Sequence, residues 1–210
     1  MVNGAGRRLS ENAGFTLVEV LVSATMMFAV LFALYGIFDV SVRAFGYGRD
    51  RIEAVGSARL ALGRMEREIR AAYPYDPTAT PPKRYLFLDP LNPTTPAVPT
   101  STRIVFGNET GGDRKIGASE VVGYHLSGHD LKRSKGGSVQ TLVDSVATNG
   151  LRFTPCRSAN DCPPAAGITE EAEIRLIRIE LTVEVERRGQ DPARQRLATD
   201  VYLRNRGDRR

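Results

Sequence analysis

A run of 19 residues without a charge, Val20–Phe38, constrains this chain more than any other feature. As a helix that rises about 1.5 Å per residue, the run would be roughly 28 Å long, close to the thickness of a bilayer's hydrocarbon core. Arg7 and Arg8 precede the run, and basic residues before a first span favour keeping that end in the cytoplasm. We therefore predict a single-pass protein of the cytoplasmic membrane, with the residues after about Val42 on the periplasmic or extracellular side.

A glutamate, Glu19, stands immediately before the uncharged run. An ionisable group within a span is rare and is a functional hypothesis by default; the alternative is a glutamate at the interface, where its cost is lower. A secretory signal peptide would have an apolar region of about 7–15 residues followed by a small-x-small cleavage site. Here the run is longer and no convincing site follows it. A plain membrane anchor fits the length but explains neither Glu19 nor the Gly14-Phe15 start.

The segment Gly14–Glu19, GFTLVE, follows a short basic leader and opens an apolar helix. This combination resembles the cleavage and methylation signal of type IV pilins and of the pseudopilins of type II secretion. The resemblance implies that a prepilin peptidase cuts between Gly14 and Phe15 and methylates the new amine of Phe15. It also implies an assembly contact in a filament, where Glu19 of one subunit lies near the amine of a neighbour. Two charges in a lipid-like core must be paired, because either one alone is costly.

More diffusely, Ser57–Arg70 resembles the J-type minor pseudopilins and the W-type minor pilins, and Thr199–Asn205 resembles the end of a J-type minor pseudopilin. The partners that this implies are the prepilin peptidase, other pilins or pseudopilins and the inner-membrane assembly platform. The implied role is structural, helping to initiate or cap a filament of a type II secretion system or a type IV pilus, with no catalysis and no cofactor. The alternative is a membrane-tethered extracytoplasmic binding protein or enzyme that uses the helix only as an anchor.

The fold class that we predict is α+β, with a long helix packed on an antiparallel β head as in pilins. Residues 1–14 are the leader, 15–42 the transmembrane or filament-core helix, and 43–73 the amphipathic half of the same helix. Residues 74–101 contain eight prolines and are predicted to form a loop, and 102–210 form the head. The buried stripe of the amphipathic half recurs at spacings of three and four: Ile52, Val55, Ala58, Leu62, Met65, Ile69 and Ala72.

The clearest strand signal is Ile177–Arg187, in which apolar and polar residues alternate strictly, as in an antiparallel sheet with one buried face. We expect a hairpin loop at Gly189–Arg194 to join it to a last strand, and a turn at Asn149-Gly150. The other predicted strands are Tyr85–Leu88, Arg103–Phe106, Val121–Leu126, Leu131–Arg133, Leu142–Val146, Leu151–Thr154 and Leu197–Leu203.

Cys156 and Cys162 are expected to form a disulfide, because the predicted topology places them outside the cytoplasm; two free thiols are the alternative. No metal site is expected. His125 and His129 flank a predicted turn, which favours a chance pair. Asn108, Glu109 and Asp113 offer oxygens suited to calcium, but without a fixed ligand pattern we interpret them as a solvated turn.

The net charge of +5 is mild, and the arginines near the C-terminal end lack interleaved aromatic residues. We interpret these arginines as a solvated surface and do not expect nucleic-acid binding. The chain also lacks a phosphate-binding loop, a nucleophile elbow and an HExxH motif, which favours a protein that is not an enzyme.

Overall fold

The computed structural model of the chain describes residues 15–73, 86–91, 95–112, 116–187 and 190–204. The predicted leader, most of the Pro-rich segment, Tyr85 and Asp113 lie outside these residues. The described chain forms one long helix, α1 (Leu17–Arg70), followed by strands. The strands are β1 (Arg103–Gly107), β2 (Val121–Ser127), β3 (Asp130–Lys135), β4 (Ser138–Val143), β5 (Val146–Cys156), β6 (Leu176–Arg187) and β7 (Gln190–Tyr202). A helix followed by antiparallel strands confirms the α+β class.

The chain divides into two compact units, with the boundary between Gly46 and Tyr47, inside α1. In the first unit, the described residues are helical from Leu17 onward. Two of its hydroxyl groups bond within the helix: Thr25 Oγ1 donates to the carbonyl of Val22 at 2.8 Å, and Ser41 Oγ donates to that of Ile37 at 2.8 Å. Such back-bonding satisfies side-chain donors without water, which suits a helix in an apolar environment.

The second unit contains two antiparallel sheets, with strand orders β1-β2-β3-β4 and β5-β6-β7. The β6–β7 hairpin has a long register, from Leu176 opposite Tyr202 to Val185 opposite Ala193, with a bulge beyond it. Along β6 the predicted alternation is confirmed: Ile177, Ile179, Leu181 and Val183 are buried, and the polar residues between them are partly exposed. The buried faces of both sheets and the second-unit part of α1 share one hydrophobic core.

Helix α1 faces this core with a stripe that differs from the predicted one. Its buried members are Ala54, Ala58, Ala61, Leu62, Met65 and Ile69. Ile52, predicted to be buried, is 76% exposed, so that assignment is wrong. Alanines at three positions of the stripe permit a closer approach of the helix backbone to the sheets than an isoleucine would, and the larger residue lies outside the contact.

A polar cluster joins α1 to the four-stranded sheet at the edge of this core. The carboxylate of Glu68 accepts a hydrogen bond from Tyr124 Oη at 2.6 Å and two from the Arg133 guanidinium, both at 3.0 Å. Arg64 Nε donates to the same carboxylate at 3.3 Å. Burial acts to raise the pKa of Glu68, but the hydrogen bonds from Arg133 and Tyr124 outweigh it and lower this pKa below its usual value.

Three sequence predictions, one of a strand, one of a loop and one of a turn, are wrong. The predicted strand Leu142–Val146 is the end of β4 and the start of β5, which are separated by Asp144 and Ser145. The predicted hairpin loop Gly189–Arg194 is instead largely strand, because β7 begins at Gln190. The Asn149-Gly150 turn lies within β5, where the β5–β6 register shifts between Val146 and Leu151. This pair therefore makes a bulge and not a hairpin turn.

Candidate functional site

Helix α1 begins with a capped first turn. The backbone amide of Glu19 donates to Thr16 Oγ1 at 3.2 Å, and the amide of Val20 donates to the Thr16 carbonyl at 3.2 Å. Thr16 is therefore the N-cap, and Glu19 occupies the third helical position, where a capping-box glutamate stands. This role of Thr16 was not predicted, although the Thr-x-x-Glu pattern before an apolar run is its recognised sequence signal.

The capped turn supplies a second physical reason for Glu19. A carboxylate in the first turn is stabilised by the positive end of the helix dipole, whatever lies around the helix. Among the described residues, the Glu19 side chain has no hydrogen-bond or ion-pair partner, and it is exposed. Gly14 lies outside the described residues, and the predicted contact between Glu19 and a neighbouring subunit remains a prediction.

The apolar side chains of the first unit are exposed on every face of the helix. The exposed fraction is 81% for Phe15, 76% for Phe32 and 66% for Phe38. Among the described residues, α1 is the one helix long and apolar enough to cross a membrane, and none of its most apolar stretch is buried within the chain. Soluble proteins rarely expose a continuous apolar surface of this size, and such surfaces mark contact with a membrane or with other proteins.

Charged residues return directly after the apolar run. Asp39 and Arg43 form an ion pair one helical turn apart, and both side chains are exposed. The Arg43 Nε also donates to the Asp39 carbonyl at 3.4 Å. Paired charges are suited to the polar interface at the end of a span, because each partner reduces the cost of placing the other near the apolar region.

Cys156 and Cys162 are joined by a disulfide, with their Cα atoms 5.0 Å apart. Cys156 ends β5 and is fully buried. Inside the bridged loop, Arg157 Nε donates to the Glu173 carboxylate at 3.0 Å, and its Nη2 donates to the Gly167 carbonyl at 2.9 Å. These contacts attach the loop to the segment that precedes β6, which makes the disulfide region a structural staple of the head.

The two histidines, His125 and His129, have different surroundings. His125 is in β2 between Arg103 and Lys132, and burial, followed by the charges of those two residues, lowers its pKa. His129 lies in the β2–β3 turn with Nδ1 2.8 Å from the Val146 carbonyl oxygen. Among the described residues, no group of three or more histidine, cysteine, aspartate or glutamate side chains could hold a metal ion.

The Gly-rich loop after β1, whose oxygens are suited to calcium, is held by the carboxylate of Glu120, which follows the loop. Glu120 Oε1 accepts hydrogen bonds from the backbone amides of Thr110 at 2.6 Å and Gly111 at 2.8 Å, and from Thr110 Oγ1 at 2.9 Å. Its Oε2 accepts one from the amide of Gly117 at 3.1 Å. The Glu120 carboxylate thus fixes the conformation of the described part of this loop, a role that was not predicted from the sequence.

These hydrogen bonds, the one from the Thr110 amide first, lower the pKa of Glu120 to about 2. Since the folded-state pKa lies below the ordinary value of 4.5, the stabilisation is fully present above pH 4.5 and is lost as the pH falls towards 2.

We expect the Glu120 carboxyl signal in NMR to titrate near pH 2. We also expect Glu120→Gln to accelerate hydrogen exchange at the Thr110 and Gly111 amides above pH 4.5, whereas Glu170→Gln, away from this loop, leaves them unchanged. A Glu120 midpoint near 4.5 would contradict the assignment.

Several arginines near the C-terminal end are paired across strands. On β7, Arg194 Nε lies 3.0 Å from the Glu184 carboxylate, and Arg196 pairs with Glu180 of the same neighbouring strand, β6. Opposite charges on adjacent strands stabilise a sheet modestly. The described arginines of β7 therefore serve the β6–β7 pairing.

Comparison with protein-family models, with curated proteins and with solved structures finds no match for this chain. The fold and the N-terminal segment define its class: an α+β protein with one N-terminal helix that is long and apolar enough to span a membrane.

Proposed function

We propose that this chain is a minor pilin or pseudopilin, a structural subunit stored in the cytoplasmic membrane and assembled into a filament of the type II secretion or type IV pilus kind. The observation that carries the proposal is the uncovered apolar helix of the first unit, together with the GFTLVE segment at its start. A helix that is apolar on all faces is suited both to lipid and to a bundle of similar helices.

The proposed mechanism exchanges one apolar environment for another. After cleavage between Gly14 and Phe15, the methylated Phe15 amine is a cation at the start of α1. In the bilayer this end lies near the polar interface. When the helix enters a bundle, Glu19 of one subunit pairs with the amine of its neighbour and selects the register, because an unpaired charge there is costly. Lipid contacts and protein contacts are both apolar, so transfer needs work from the assembly platform.

The partners in this proposal are the prepilin peptidase, other pilins or pseudopilins and the inner-membrane assembly platform. The peptidase acts on the chain, and the chain itself catalyses nothing and takes no cofactor. The head lies on the periplasmic or extracellular side, where it contributes to recognition of neighbouring subunits. Helping to initiate or cap the filament is the role that the resemblance to minor subunits favours.

Mass spectrometry of the mature N-terminus tests the proposal in a host that contains a prepilin peptidase. We expect the chain to begin at Phe15 and to carry one methyl group on its amine. A bulky residue before the cut should block processing, so Gly14→Val should stay full length, whereas Gly6→Val, in the leader but away from the cut, should be processed normally. An intact Met1 or a first residue well beyond Phe38 in the unsubstituted chain would contradict the proposal, and an intact Met1 would favour a simple membrane tether.

A further inference from the structure

Strand β4 is an open edge of the four-stranded sheet. Among the described residues it pairs with β3 alone, and its first four residues, Ser138 to Thr141, are exposed. An edge strand presents backbone amide and carbonyl groups that have no partner in the sheet, and these groups can accept a further strand. The described part of this protein therefore leaves one row of backbone hydrogen-bonding groups available at β4.

The sequence of β4 lacks the features that normally protect an edge. SVQTLV contains no charge and no proline, and Val139 is 59% exposed. By contrast, the edge strand β7 of the other sheet carries Pro192, Arg194 and Arg196. The opposite edge of the four-stranded sheet is met by Phe87, which forms a bridge with Phe106. Charges and prolines discourage strand addition, so of these three edges β4 is the best suited to accept a partner.

An acidic groove of about 850 Å³ adjoins the last residues of β4. The residues that line it come from α1, the β2–β3 turn, the end of β4, the β4–β5 turn and β6. Its titratable side chains are five carboxylates and one imidazole: Asp50, Glu53, Asp144, Glu184, Glu186 and His129. The basic residues of β3 that lie opposite β4, which are Lys132, Arg133 and Lys135, do not line it. The groove and the open edge are therefore continuous along Thr141 to Val143.

Most of the negative charge in the groove is not neutralised within the described chain. Glu184 pairs with Arg194 at 3.0 Å and lies 4.0 Å from His129. The other carboxylates, Asp50, Glu53, Asp144 and Glu186, form no ion pair with any described residue and are exposed. Like charges around one depression raise its negative potential and attract cations from solution. The charge of the groove thus specifies the sign of a complementary partner.

We propose that the β4 edge and this groove form a docking site for an extended segment, rich in lysine or arginine, of a partner protein. The segment adds as a strand beside β4 through backbone hydrogen bonds, and alternate side chains direct their cations to the groove. Backbone pairing supplies affinity without sequence preference, and the carboxylates supply selection for a basic segment. This inference concerns the head and does not rest on the proposed filament function.

The first test uses the full chain in detergent micelles and a labelled six-residue peptide that alternates lysine and valine. We expect saturable binding that weakens as salt is raised, and a peptide that alternates glutamate and valine should bind at least about tenfold more weakly. Two further lysine–valine peptides carry methyl groups on alternate backbone nitrogens. One is methylated at the odd positions and the other at the even positions. The peptide whose methylated nitrogens face β4 should lose binding, and the other should keep it. Equal binding of all four peptides would overturn the proposal.

The second test changes the groove. Glu53→Gln and Asp144→Asn each remove one carboxylate from the groove. Each substitution should raise the Kd of the lysine–valine peptide about two- to fivefold, the range for exposed charge pairs. Glu170→Gln, an exposed carboxylate outside the groove, should leave the Kd unchanged. The proposal fails if all three substitutions have the same effect. The proposal also fails if calcium ions displace the peptide from the unsubstituted chain, because the groove would then be a cation site. It fails as well if the peptide binds only when the chain self-associates. None of these results depends on how the N-terminus is processed.

Discussion

Glu19→Gln is expected to lower incorporation into filaments at least about tenfold, whereas Thr16→Ala is expected to leave incorporation within about twofold of the unsubstituted chain. The reason is that the two substitutions separate the two roles that Glu19 has in this protein. Glutamine leaves the Thr16 cap on the residue-19 amide in place but removes the charge. Alanine at Thr16 removes the acceptor that lies 3.2 Å from the Glu19 amide but keeps the charge. Loss of a partner from a buried charge pair costs about 3–5 kcal/mol, whereas loss of a cap costs about 1 kcal/mol.

The measurement is the amount of each variant in filaments sheared from a host that carries the assembly machinery, relative to its amount in the membrane. Mature N-termini should be identical in both variants, which separates assembly from processing. If Thr16→Ala is the defective variant and Glu19→Gln assembles normally, Glu19 serves only to start the helix. The charge-pairing part of the proposed mechanism would then be wrong.

Glu68→Gln is expected to destabilise the head by about 3 kcal/mol, the largest effect on stability that we predict. The substitution leaves the Arg133 guanidinium, whose side chain is 11% exposed, without its counter-ion, and removal of one member of a mostly buried pair typically costs about 3–5 kcal/mol. For a chain of this size, this corresponds to a fall in Tm of about 6–12 °C. Thermal melting of the full chain in micelles, followed by circular dichroism, measures it.

Glu66 supplies the matched control two residues earlier on the same helix. It pairs with Arg70 at the surface, so Glu66→Gln should change stability by no more than about 0.5 kcal/mol. Because the folded-state pKa of Glu68 is lowered, its contribution is present above the ordinary value of 4.5 and is lost as the pH falls below it. Equal shifts in the two variants at neutral pH would contradict the assigned role of Glu68.

Helix α1 shows how much of the fold follows from sequence pattern. Its length and its uncharged run follow from local composition, and the structure has a helix over Leu17–Arg70. The face that it buries was predicted less well, since Ile52 is exposed and Ala54 and Ala61 are buried. Hydrophobicity alone favours the larger residue, whereas the distance between helix and sheet favours the smaller one. That distance is a property of the packed head and is not encoded in the periodicity of one segment.

Asn149-Gly150 illustrates the same division among the strands. Asn149 has a φ of 57°, as an Asn-Gly turn would predict. A Cβ on Gly150 would lie 2.5 Å from the Thr182 carbonyl oxygen of β6, so the close approach of that strand requires glycine. The same dipeptide signals a hairpin turn or a bulge, because both need a left-handed residue. The pairing of β5 with β6 decides between them.

In the candidate sites too, contacts between residues close in sequence can be predicted from the sequence, whereas contacts between distant residues cannot. The capping of Glu19 by Thr16 spans three residues and is readable from the sequence, as is the strict alternation along β6. Two of the three partners of Glu68, Tyr124 and Arg133, are 56 and 65 residues away. The β4 edge and its groove likewise combine residues from α1, β4 and β6. The sequence by itself determined the apolar helix and the alternating strand, because each depends on neighbours along the chain. Only the tertiary structure decided which charges are paired and which edge stays open, because those contacts join segments that no local pattern relates.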